Sequence, residues 1–71
     1  MSPLTKYRKK LNISQREFGD KAGFSQSAIN HYETGRRTPC ISDARKIVEA
    51  LNQLGAVCTF DDVFPPKDKA A

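Results

Sequence analysis

Apolar residues recur along this chain in short stripes at helical spacing, separated by glycine, proline and small polar residues. The strongest stripe follows Pro39, where Ile41, Ala44, Ile47, Val48, Leu51 and Leu54 recur at steps of three and four. That pattern predicts an amphipathic helix ended by Gly55. Near the N-terminus, Leu4, Tyr7 and Leu11 share the same period, with Ser2 placed to cap and Pro3 in the first turn, where its missing N–H is harmless. Its apolar side is expected to cover the segment that follows.

That segment, residues 14–35, carries two further stripes. Ser14 is a good N-cap for a helix opening at Gln15, and Glu17 three residues on completes a capping box. Phe18 and Ala22 stand at i and i+4, and Gly23 supplies the left-handed stop. Ser25 then caps a second helix from Gln26 to about Thr34, with Ala28, Ile29 and Tyr32 on one face and Gly35 beyond it. The two apolar faces are expected to pack together. Gly19, inside the first helix, costs about 1 kcal/mol relative to alanine, which close approach of the two helices there would offset. Two short helices joined by a glycine turn make a helix-turn-helix.

The other face of the second helix gives the chemistry. Gln26, Ser27, Asn30 and His31 are all uncharged hydrogen-bonding residues at helical spacing, whereas a merely solvated face more often carries lysine and glutamate. Carboxamides suit base reading because Gln or Asn can bond adenine N6 and N7 together, worth roughly 1 to 3 kcal/mol of discrimination. The bland alternative is a polar surface with no target.

With these residues in view, Tyr7 to about Leu54 resembles the helix-turn-helix family of bacteriophage Cro and repressor proteins, which also includes bacterial regulators and antitoxins. The resemblance lies in RKKLNISQREFGDKAG, in FSQSAINHYETGRRTP and in the helix ending ALNQLG. Gln15 opening the first helix, the small Gly19, Gly23 at the turn, Ile29 and Tyr32 inside, and Glu33 followed by Gly35 and Pro39 all match. The resemblance implies an all-α fold, a compact bundle of about five short helices of the lambda-repressor-like kind. It implies that Gln15 contacts a phosphate, that Gln26, Ser27 and His31 stand at base-reading positions, that Asn30 stands where members contact base or backbone, which makes these four the base-reading candidates, and that Arg36 and Arg37 hold the sugar-phosphate backbone. Arg16 and Lys10 join Gln15, Arg36 and Arg37 as backbone candidates. Reading positions vary widely in the family, so the operator sequence does not follow from them.

Charge supports a polyanionic partner independently. Residues 1–37 hold eight Lys or Arg against three acids, net +5, and residues 38–71 hold four against five, net −1, which together give the whole-chain +4. A pI near 9.3 with this asymmetry is the footprint of a nucleic-acid ligand. Arg8, Lys9 and Lys10 alone are equally well read as a solvated face. Seventy-one residues, 38% hydrophobic, allow one domain with a small core, marginal without support such as self-association. One domain is expected over residues 1–64, with residues 65–71 a disordered tail. No apolar run has membrane-span or signal-peptide length, so a soluble, cytoplasmic chain with no membrane partner is expected. Cys40 and Cys58 lie in no metal-ligand spacing and His31 is the only histidine, so no metal, cofactor or disulfide is expected.

Residues 56–64 read two ways. Thr59 can cap a short helix containing Phe60, Asp61, Asp62, Val63 and Phe64, or Ala56 to Phe60 can form a strand; the helix is preferred. Val57, Phe60, Val63 and Phe64 either fold back onto Leu51 and Leu54 or meet a second copy of the chain, and sequence weighs these equally. The resemblance implies a dimer through this region, with recognition helices about 34 Å apart on a roughly palindromic operator.

Other function classes fare worse. Ser27 and His31 share a face as a nucleophile and base would, yet no orienting carboxylate adjoins them and the chain is short for a deep pocket, so no enzyme is expected. The antitoxin members of the family imply a second partner, a toxin protein, beside DNA. The sequence thus points to a Cro-like repressor binding double-stranded operator DNA as a homodimer, with an antitoxin-type autorepressor as the alternative.

Overall fold

The computed structural model describes residues 2–65, which form α1 (Pro3–Lys10), α2 (Gln15–Ala22), α3 (Gln26–Thr34), α4 (Ile41–Gln53) and α5 (Phe60–Val63), with no strand among them. Hydroxyl caps set four of the five starts. Ser2, Ser14, Ser25 and Thr59 each accept the backbone N–H of the residue three positions on, while Cys40 opens α4 without a side-chain cap. The Ser14–Glu17 capping box forms in full, with the Ser14 N–H donating to the Glu17 carboxylate at 2.9 Å. Glu17 is therefore engaged at its own helix start, and among the described residues it forms no ion pair with Lys21, four positions on.

Between α1 and α2 the chain turns through Asn12, whose φ of 62° is in the left-handed region that asparagine tolerates better than most residues. α2 packs mainly on α3 and also on α4, and α5 closes against α1 and α4. Their shared core holds Leu4, Phe18, Ile29, Ile47, Leu51 and Val63, all essentially without solvent exposure. Burying each such side chain contributes roughly 1.5 to 3 kcal/mol. Tyr7, Leu11, Phe24, Tyr32 and Leu54 pack around it, partly exposed.

Three expectations change in detail. Ile41 is 66% exposed, because it stands in the first turn of α4, where the stripe has run past the core; Ala44, Ile47, Ala50 and Leu51 form the buried face. The 56–64 segment takes the preferred helical reading, capped by Thr59, but α5 ends at Val63, one residue short of Phe64; residues 56–59 lie in neither helix nor strand. Asn52 holds them: its Nδ2 donates to the Cys58 carbonyl at 2.9 Å and its Oδ1 accepts the Cys58 N–H at 3.1 Å. Finally, Val63 is 2% exposed and belongs to the chain's own core, so it is withdrawn from any contact with a second copy. α5 packs on α1 and α4 and turns Val63 inward.

Val57 is 92% exposed, and Phe60 and Phe64 are half-buried with ring centroids 5.8 Å apart. Cys40 is exposed and Cys58 buried, both as free thiols; burial first, and the nearby Asp62 charge second, push the Cys58 thiol pKa up. The expectation of a disordered tail falls on residues 65–71, of which 66–71 lie outside the described residues.

Candidate nucleic-acid interface

The site is built on the turn between α2 and α3. Gly23 adopts φ 86°, a left-handed conformation in which a side chain is strained, and its N–H and that of Phe24 both donate to the Gly19 carbonyl at 2.8 Å. A Cβ on Gly19 would stand 2.6 Å from the Phe24 carbonyl oxygen. The close approach expected at Gly19 therefore exists, and its partner is the backbone of the turn. Phe24 then sets its ring edge-on to Tyr32 of α3 at 6.0 Å between centroids, a favoured aromatic geometry that ties the turn to the helix it introduces.

This rigid corner presents the start of α3. Gln15, Ser25, Gln26, Ser27 and Asn30 line one open depression where the first turns of α2 and α3 meet. Gln26 and Ser27 are exposed; Gln15 and Asn30 are half-buried at its inner edge. Three of the four base-reading candidates and one backbone candidate thus share a surface. His31 lies outside it, half-buried one position further along α3.

Beneath the depression runs a buried polar network. Arg8 of α1 forks onto Glu33 of α3, with Nε 2.6 Å from Oε2 and Nη2 3.1 Å from Oε1, while Nη1 donates to the Ile13 carbonyl at 2.8 Å. Gln15 Nε2 donates to Glu33 Oε1 at 3.1 Å, and Asn30 Nδ2 approaches Gln15 Oε1 at 3.5 Å. Burial by itself raises the Glu33 carboxyl pKa, but hydrogen bonds from Arg8 and Gln15 and the Arg8 charge outweigh it, and the net shift is downward. Glu33 is therefore an anion inside a basic protein, and Arg8 serves the core more than a solvated face.

The remaining cations do not line the depression. Arg16 is exposed on α2. Arg36 and Arg37 are exposed in the loop after α3, with both of their N–H groups returning to the His31 carbonyl at 2.9 and 3.2 Å, which holds that loop against the end of the helix. Lys10 lines a different groove, with Pro3, Lys6, Tyr7 and Asp62, between α1 and α5.

Comparison with known proteins fits this geometry. A family model described as helix-turn-helix matches residues 4–54. The chain belongs to the helix-turn-helix family. Among helix-turn-helix proteins, one from Archaeoglobus fulgidus, named an uncharacterized HTH-type transcriptional regulator, is 43% identical over 51 residues. That alignment covers 72% of this chain and 22% of the relative, so the chain spans well under a third of that protein's length. No solved structure matches. The match bears out the family resemblance and the all-helical fold read from the sequence.

Two residues of this helix-turn-helix domain escaped the sequence reading. Glu33 was legible as a family match but not as the acceptor for Arg8 and Gln15, since its partners lie 25 and 18 residues away. Asn52, in the polar stripe of α4, gave no sign that it would clamp residue 58.

Proposed function

We propose that this protein is a sequence-specific, double-stranded DNA-binding transcriptional regulator, a Cro-like repressor that occupies a short palindromic operator as a homodimer. The observation that carries the reading is the shared depression at the start of α3, where Gln15, Gln26, Ser27 and Asn30 converge on an open polar surface. Amide side chains there suit the edges of bases in a major groove, and the nearby helix starts suit phosphates. Exposed Arg36 and Arg37 flank the far end of α3 and would hold the backbone without reading sequence. Among the described residues no helix is long and apolar enough to cross a membrane, in keeping with a cytoplasmic regulator.

A dimer would use a different surface. Ile41, Val48 and Phe60 line an outer groove on α4 and α5 in company with Arg45 and Glu49, and Val57 is exposed on the adjoining segment. Val57, Phe60 and Phe64 are the contact residues of this reading.

Selection of bound duplexes from a random library, at near-physiological salt with excess competitor DNA, tests it. A two-fold symmetric site with half-sites about one helical turn apart is the expected product. Enrichment of nothing, with binding that vanishes as salt rises, would reduce the interaction to electrostatic attachment.

A further inference from the structure

We propose that Glu33, fixed by Arg8, decides which way round the Asn30 carboxamide faces DNA, acting through Gln15, and that this gives the pair read by Asn30 a preference for adenine over guanine. The inference rests on the reading of α3 as a DNA-contacting helix and assigns Arg8, Glu33 and Gln15 as positioning residues for specificity.

The argument is one of hydrogen-bond polarity. Glu33 is 9% exposed, and its carboxylate only accepts. Arg8 takes both oxygens in a fork, so the carboxylate cannot rotate away. Gln15 must turn its NH2 toward Oε1, where Nε2 stands at 3.1 Å, and its own oxygen therefore faces the other way. Asn30 Nδ2 lies there, at 3.5 Å, the longest link of the chain. An Asn30 amide turned through 180° would set its oxygen against the Gln15 oxygen. The Asn30 carbonyl oxygen and second N–H consequently take no part in this network, and the residue itself lines the depression. That acceptor and donor together match adenine N6 and N7, whereas guanine O6 and N7 are both acceptors. A buried ion pair that touches no DNA thereby determines a base preference.

Library selection with the full chain tests this, comparing wild type with Asn30→Ala, Gln15→Ala and Glu33→Gln. In wild type, the base pair whose preference disappears in Asn30→Ala should favour adenine roughly 5- to 150-fold, the range of one bidentate contact. Gln15→Ala leaves the Arg8–Glu33 pair intact and so keeps the fold. It should reduce that single preference below about fivefold while preferences at other pairs stand. Glu33→Gln, whose amide can donate or accept, should do the same wherever it folds. If Gln15→Ala weakens all duplexes alike and leaves every preference unchanged, Gln15 is a phosphate contact only and the proposal falls while DNA reading survives. A guanine preference at the Asn30 pair overturns it equally. A wild type that selects no sequence removes the DNA reading and the proposal together.

Discussion

Glu33 ties the packing of α1 and α3 to the surface proposed to read DNA. An ionised carboxylate in a core is unfavourable unless it is paired and hydrogen-bonded, and Arg8 and Gln15 supply both. Removing one partner of such a pair costs about 3 to 5 kcal/mol. Because the folded pKa of Glu33 lies below its ordinary value, its contribution is complete above about pH 4.3 and is lost as pH falls toward the lowered folded value. Thermal melts taken from neutral pH downward should therefore show a stability loss in acid that is shallower in Glu33→Gln; equal slopes in the two proteins would refute this linkage. Gln26 is the contrasting case, exposed at the mouth of the depression with no hydrogen bond to the protein among the described residues. Gln26→Ala should leave the melting temperature unchanged, weaken the preferred operator by about 1 to 3 kcal/mol and relax one base pair. Titration against specific and random duplexes separates this from a general loss, which would remove Gln26 from the readers.

At the level of elements, the helix starts and the glycine ends were legible because capping is local chemistry: Ser14 with Glu17, Ser25, Gly23 and Gly35 act within a few residues of themselves. What was not legible depends on contacts beyond the reach of a cap or a helical turn, six residues away for Asn52 and 25 for Arg8. No local rule announces that Arg8 will meet Glu33, or that Asn52 will reach Cys58. Likewise, a four-residue helix such as α5 is too short for its spacing to say that Val63 turns inward. The surface candidates Gln26, Ser27 and Asn30 were readable from side-chain type and helical spacing, but their union with Gln15 needed the packing of α2 on α3. The turn itself yields a sharp test. Alanine is the better helix former by about 1 kcal/mol, yet Gly19→Ala places a methyl 2.6 Å from the Phe24 carbonyl, so it should destabilise by about 1 to 3 kcal/mol. A higher melting temperature in that variant would mean that the turn yields freely. Asn52→Ala removes both bonds to Cys58 and should lose about 1 to 2 kcal/mol, with amide exchange rising first in residues 57–63. Uniform exchange changes would argue against a local clamp.

On the scale of the molecule, the polar groups proposed to read DNA and the apolar groups line different depressions of the surface. The depression at the start of α3 is lined by amides and hydroxyls, while Ile41, Val48 and Phe60 line a groove on α4 and α5, and Val57, three residues before Phe60, is exposed. In the proposed dimer a separate apolar surface would let a second copy bind without covering α3, and two copies would double the phosphate contacts available to so small a domain. Val57 permits a clean test because it is 92% exposed and outside the core. Val57→Asp should alter the folding free energy by no more than about 0.5 kcal/mol, as surface changes do. In the proposed dimer, however, it buries an unpaired charge, so sedimentation should show a shift to monomer and operator titration a steep loss of affinity. Val63→Asp, aimed into the core, should instead fail to fold, which distinguishes loss of assembly from loss of structure. If Val57→Asp keeps both the mass and the operator affinity of wild type, the α4–α5 surface is not where two copies meet, and the half-site spacing found by selection must be set by another contact.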